Sequence, residues 1–100
     1  MAKVTWTKRS IEDIYEIREY YLSYSPKLAT ETTDQIFEKG EYLSQFPKLG
    51  RIVPEFDNKD LRELIYNNYR IIYRLVGQES VHILSVHSSF RPLTQIEIWE

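Results

Sequence analysis

The sequence predicts an α+β fold, in which an N-terminal strand and an antiparallel helical hairpin pack on a twisted antiparallel sheet in the order β-α-α-β-β-β. Apolar residues recur at helical spacing between residues 11 and 46. Between residues 61 and 87 they instead form three short apolar or β-branched runs separated by turn residues. A length of 100 residues is that of one domain, so we expect residues 1–100 to form a single domain.

The first element is predicted to be a short strand, because the run KVTWT at residues 3–7 is β-branched and aromatic. Thr7 is a suitable N-cap for the helix that follows, since its hydroxyl can accept a hydrogen bond from a free amide of the first turn. This helix carries an apolar stripe along one side, formed by Ile11, Ile14, Ile17, Tyr21 and Leu22.

A second helix is predicted to begin at once, with Ser25 as its N-cap and Pro26 as its first residue. The short link makes the two helices an antiparallel hairpin. Gly40 costs about 1 kcal/mol relative to Ala inside a helix, so we expect the bare backbone there to lie close to a neighbouring element. The helix ends near Phe46-Pro47, and its apolar stripe is formed by Ala29, Thr33, Ile36, Phe37, Gly40 and Leu43.

Residues 47–60 contain two prolines and a glycine and predict a long loop. The three strands that follow are predicted at residues 61–66, 69–76 and 81–87. Asn67-Asn68 fits a tight primed hairpin turn, and residues 77–80 fit a four-residue turn. We expect the N-terminal strand to join this sheet, because alone it would leave an unpaired edge.

These turn lengths sort the strands into two faces. Arg70 should then oppose both Ile65 and His87, while Arg74 opposes Ile83 and Val76 opposes Val81. A slip of one residue in either turn would exchange the faces. The face expected under the helices carries Leu64, Ile71, Tyr73, Leu75, Leu84 and Val86. The other mixes aliphatic and charged groups: Glu63, Ile65, Arg70, Ile72, Arg74, Ile83, Ser85 and His87.

The mixed face is the candidate target-binding site. Arginine holds phosphate oxygens in pairs, and histidine moves a proton near neutral pH. The alternative is structural: Glu63 lies diagonally between Arg70 and Arg74, an arrangement typical of a cross-strand ion cluster. The candidate binding residues are Arg62, Arg70, Arg74, His87 and Arg91, five of the positions where the second half of the chain is basic.

Composition excludes several functions. Without cysteine there is no disulfide, thiolate ligand or cysteine nucleophile, and two histidines do not indicate a zinc site, so no metal or cofactor is expected. A net charge of -2 argues against a protein that binds nucleic acid through its overall positive charge. No common catalytic motif, secretory signal or membrane-length apolar stretch is present, so a cytoplasmic protein without membrane contact is expected.

Several short motifs follow the helical hairpin in a characteristic order. Together they resemble the RelE/ParE toxin superfamily over residues 3–92, and the long hairpin with its F-P-x-L-G-R turn resembles the ParE-like members. The resemblance implies the toxin half of a bacterial type II toxin–antitoxin pair, neutralised by a cognate antitoxin. The motifs are F-P-K-L-G-R at 46–51, R-E-L at 62–64, Y-R-I-I-Y-R at 69–74, V-H at 86–87 and Arg91.

The resemblance leaves two targets open. ParE-like toxins inhibit DNA gyrase, whereas RelE-like toxins cut messenger RNA in the ribosomal A site. We favour gyrase, because docking on ribosomal RNA calls for a strongly basic protein and this chain is acidic. If the protein is a ribonuclease, the resemblance makes Arg70, His87 and Arg91 the catalytic candidates, with Arg70 stabilising the phosphorane and His87 transferring a proton.

The antitoxin is expected to lay a helix and an extended segment across the toxin. Outward tyrosines of the helical hairpin are the candidate contacts, and the alternative is that they are ordinary scattered surface residues. Residues 92–100 depart from the family pattern and could form an extra edge strand or an antitoxin contact. The candidate tyrosines are Tyr15, Tyr20, Tyr24 and Tyr42.

Overall fold

The structure of the protein, a computed structural model, describes residues 1–88. Within these residues, five strands form one mixed sheet in the order β1-β5-β4-β3-β2, with β1 parallel to β5 and the other neighbours antiparallel. The predicted α+β class and element order are confirmed, and the N-terminal strand joins the sheet as expected. The elements are β1 (Lys3–Trp6), α1 (Lys8–Leu22), α2 (Pro26–Glu41), a 3-10 turn (Tyr42–Ser44), β2 (Arg51–Ile52), β3 (Leu61–Tyr66), β4 (Tyr69–Val76) and β5 (Ser80–Ser88).

Both helices begin where the sequence predicts, because each is capped by a side-chain hydroxyl. The Ser10 amide donates to the Thr7 hydroxyl at 3.2 Å, and the Leu28 amide donates to the Ser25 hydroxyl at 3.1 Å. Pro26 is the first residue of α2, where its missing amide hydrogen leaves no bond unmade.

The helical hairpin covers one face of the sheet. Gly40 explains how closely α2 approaches, since a Cβ at this position would collide with the indole ring of Trp6 in β1. The Trp6 ring also packs edge-on against Phe37, with ring centroids 4.9 Å apart. The buried cluster between the layers includes Ile14, Ile17, Ile36, Ile71, Tyr73, Val81, Ile83 and Val86.

The turn between β4 and β5 is shorter than predicted. Val76 pairs with Ser80, so the turn has three residues and begins at Gly77, whose φ of 63° suits glycine. The predicted pairs Val76–Val81 and Arg74–Ile83 are therefore wrong, and Arg74 instead pairs with His82.

A β-bulge then restores the predicted register. The shift lies between Ile72 and Tyr73, and beyond it Arg70 pairs with His87 as expected. The bulge exchanges two neighbours in β5: Ile83 lies in the helix-covered core and Leu84 in the cluster on the opposite face, the reverse of the prediction.

Residues 47–60, expected to be a loop, contain the two-residue strand β2, which pairs with β3. Residues 53–60 then fold over the sheet face that points away from the helices, and we call this segment the strap. Its Val53 is fully buried, and Phe56 packs beside it. The strap and sheet together form a second small core of Val53, Phe56, Leu61, Ile72 and Leu84.

Within residues 1–88, neither helix has the length and apolar character needed to cross a membrane.

Candidate functional site

Arg70 and His87 face each other across β4 and β5 on the strap-covered face of the sheet. Both residues are buried, with exposed fractions of 8% and 5%. A buried arginine needs partners for its charge, because an unpaired ion away from water is strongly unfavourable. The partners of Arg70 therefore decide what this site can do.

The Arg70 guanidinium is bound by two carboxylates. Its Nε donates to Glu63 Oε1 at 2.5 Å. Its Nη1 and Nη2 donate to the two oxygens of Glu55 in the strap, at 2.6 Å and 2.7 Å. These hydrogen bonds lower the pKa of Glu55, and they raise the pKa of Arg70 above its ordinary value.

Glu63 holds the network together from β3. Its side chain is completely buried, and its second oxygen accepts a 2.5 Å hydrogen bond from Arg51 Nε in β2. Two arginines and two glutamates thus form a cluster without net charge, made of Arg51, Glu55, Glu63 and Arg70. The cross-strand ion cluster predicted from the sequence is present for Glu63 and Arg70. The second arginine bound to Glu63 is Arg51, whereas Arg74 was expected.

The order F-P-K-L-G-R has a physical reason at Tyr73. The Tyr73 hydroxyl accepts from the Gly50 amide at 2.9 Å and donates to the Pro47 carbonyl at 2.7 Å. A Cβ on Gly50 would collide with the Glu63 carbonyl and the Tyr73 ring. This fit places Arg51 beside Glu63.

Two of the remaining candidate arginines, Arg62 and Arg74, lie in β3 and β4. Arg62 pairs with Tyr73, and its Nη1 and Nε donate to the carbonyls of Gly50 and Lys59 at 3.0 Å and 3.1 Å. Arg74 is half-buried on the strap-covered face, opposite Leu61. Arg91 and residues 92–100 lie outside residues 1–88.

Two members of the site, Glu55 and Arg51, were not predicted from the sequence. Arg51 had a signal, because it ends the F-P-K-L-G-R turn. Glu55 had no such signal, because it lies in an irregular segment. It is fifteen residues from Arg70 in the sequence, and only the path of the strap brings the two side chains together.

The four candidate tyrosines are all exposed, with more than half of each residue accessible. Tyr20 and Tyr24 are part of a ring cluster with Tyr21, whose centroids lie 5.1–5.7 Å apart. The Tyr21 hydroxyl also bonds Tyr69 of β4 at 3.2 Å, which ties the end of α1 to the sheet. Tyr42 packs against Phe46, with ring centroids 5.2 Å apart.

Comparison with known proteins agrees with this architecture. The family model for the ParE toxin of type II toxin–antitoxin systems, parDE, matches residues 4–91. The chain therefore belongs to the ParE toxin family. Toxin RelE2 of Caulobacter vibrioides is 30% identical over 91 residues, which cover 91% of this chain and 99% of that toxin.

A solved structure has the same fold. The chromosomal ParDE toxin–antitoxin system from P. aeruginosa contains a chain that superposes with a TM-score of 0.74 at 22% identity, covering 88% of this chain and 96% of that one. With the family match, the protein is the toxin component of a type II toxin–antitoxin system, and its family implies a cognate antitoxin as partner.

Proposed function

We propose that this toxin inhibits DNA gyrase by binding it and uses no catalytic step of its own. The observation that carries the proposal is the neutral ion cluster around Arg70. A ribonuclease would need this guanidinium to stabilise charge on a reacting phosphate. Here Glu55 and Glu63 already bind it, so within residues 1–88 the charge of the Arg70 guanidinium is compensated by two carboxylates.

The charge of the whole chain supports the same choice. Docking on ribosomal RNA depends on many phosphate contacts, and a protein with net charge -2 has no excess of positive charge to make them. A protein target such as gyrase makes no such demand. Both gyrase and ribosomes are cytoplasmic, so we place the action of the toxin in the cytoplasm.

The test is a supercoiling assay with purified gyrase and the purified toxin, followed by detection of gyrase-linked DNA breaks. We expect supercoiling to fall and breaks to accumulate, and addition of the antitoxin to reverse both effects. Unaffected gyrase together with A-site cleavage of messenger RNA on purified ribosomes would reject the proposal. Absence of both activities would mean a toxin that survives only as a binding partner.

A ribosome-dependent endoribonuclease is the second candidate, favoured by the cross-strand pair of Arg70 and His87 and by the name of the Caulobacter relative. In that case His87→Gln should abolish cleavage while antitoxin binding stays intact. Full toxicity of both His87→Gln and Arg70→Lys would remove this candidate.

For the antitoxin we propose a contact surface on the outside of the helical hairpin. Tyrosine gives large, partly polar contact area at low entropic cost, which is why it is enriched at interfaces. Tyr15 lines a groove between α1 and α2 together with Ile11 and Phe37, a suitable place for an apolar side chain of the antitoxin. The contact residues of the proposal are Tyr15, Tyr20, Tyr24 and Tyr42.

A further inference from the structure

The two carboxylates on Arg70 hold it in different ways. Glu63 belongs to β3, is completely buried and is also bound by Arg51, so it is part of the framework. Glu55 belongs to the strap, outside any helix or strand, and 37% of its side chain is exposed. Glu55 is therefore the partner that can leave without breaking the sheet.

The strap is attached mainly by apolar contacts on either side of Glu55. Val53 and Phe56 pack against Ile72 and Leu84, and the Val53 amide donates to the Leu61 carbonyl at 3.1 Å. The Phe56 amide donates back to the Val53 carbonyl at 3.2 Å, which folds the strap into a turn that carries Glu55. A small movement of this turn would withdraw the carboxylate while leaving Val53 in place.

Withdrawal of Glu55 would leave Arg70 without the carboxylate that now neutralises it and binds its two terminal nitrogens. The cluster would change from neutral to one net positive charge, with both terminal nitrogens of Arg70 pointing outward and Nε still held by Glu63. A buried guanidinium in this state strongly favours binding another anion. The pair of parallel bonds that Glu55 now makes matches the planar fork of a carboxylate.

We propose that Arg70 forms an anion-binding site that Glu55 occupies in the free toxin, and that the site receives an Asp or Glu side chain of a protein partner when the strap opens. Glu55 is then an intramolecular competitor for that partner. This inference rests on the proposed function for the identity of its partner, because a protein target must supply the carboxylate.

The competition makes a measurable prediction. Glu55→Ala removes a group of the size of acetate from the face of Arg70, so acetate should fill the space that is left. In the wild-type protein the tethered carboxylate keeps the open site a minor state, and the apparent affinity falls by the open fraction. We expect acetate to bind Glu55→Ala at least about tenfold more tightly than the wild type.

The experiment titrates sodium acetate against sodium chloride at constant ionic strength and follows the Nε–Hε resonance of Arg70 by NMR. Asp57→Ala is the matched control, since Asp57 is an exposed acid of the same strap. It should behave as the wild type. Equal acetate affinity in Glu55→Ala and the wild type would overturn the proposal.

Two further arms separate the remaining explanations. Inorganic phosphate binding to Glu55→Ala about tenfold more tightly than acetate would reject a carboxylate ligand and indicate a phosphodiester. If Glu55→Ala does not fold, Glu55→Ser, whose short side chain also leaves room for acetate, is titrated in its place and the same comparison decides. Because the readout does not involve gyrase, failure of the anion site and failure of the gyrase proposal are distinguishable.

Discussion

Single side chains decide the character of the strap-covered face. Glu63 accepts hydrogen bonds from arginines of two different strands, and its burial makes it a partner that the buried Arg70 cannot replace with water. Turn arithmetic predicted that Arg70 would meet His87 and Ile65, and it does. It could not predict Glu55, because the path of an irregular loop is not encoded in hydrophobic periodicity.

The first prediction follows from this burial. Glu63→Ala should lower the free energy of unfolding by about 3–5 kcal/mol, because it leaves Arg70 in the interior with one carboxylate fewer. Urea denaturation measures the effect. Glu79→Ala, at an exposed turn position, is the control and should change the free energy by no more than about 0.5 kcal/mol. A similar small change in the free energy of unfolding of both variants would show that the cluster contributes little to stability.

α2 lies very close to β1 at Gly40. A glycine inside a helix is locally unfavourable, yet Gly40 lets the Trp6 ring lie directly on the helix backbone. The Trp6 indole also donates to Glu41 Oε2 at 2.7 Å, which fixes the ring over this position. The unfavourable helix propensity of Gly40 therefore correctly predicted close packing at this position.

A second prediction concerns this contact. Gly40→Ala should destabilise the protein by about 1–3 kcal/mol through overpacking, although helix propensity alone favours alanine by about 1 kcal/mol. Thermal and urea unfolding measure the balance. Trp6→Leu should relieve the clash, so the double variant should lose less than the sum of the two single variants. Additive losses would contradict a direct contact.

Across the whole molecule, the sheet is covered on both faces, by the helical hairpin on one and by the strap on the other. The strap is the weaker cover, because its core has few apolar residues and it is tied to the sheet by a partly exposed ion pair. Stability of the whole fold should therefore respond to pH through Glu55.

The sign of this response follows from the lowered pKa of Glu55. Its folded-state pKa lies below the ordinary value of 4.5, because Arg70 binds the ionised form, so the stabilisation is complete above that value and is lost as the pH falls through the folded-state pKa. We expect the wild type to be more stable than Glu55→Gln at pH 6, and the difference to shrink below about pH 4.

Unfolding curves recorded from pH 6 to pH 3 for both proteins check this. Asp57→Asn serves as the control, and its difference from the wild type should show no comparable loss. A wild-type advantage over Glu55→Gln that does not decrease between pH 6 and pH 3 would argue against ionic stabilisation by Glu55.

The amino-acid sequence by itself determined the order of elements, the caps at Thr7 and Ser25, the β3–β4 hairpin and the meeting of Arg70 with His87. Each depends on spacing or on turn chemistry within a short stretch, which local physics encodes. Even the turn whose length was misjudged left that meeting intact, because the bulge in β5 adds back the residue that the turn omits. Only the tertiary structure decided that the strap lies over the sheet and that Glu55 occupies Arg70. Those contacts depend on the packing of Val53 and Phe56 against an apolar surface formed by strands distant in the sequence. Hydrophobic periodicity does not specify such long-range packing.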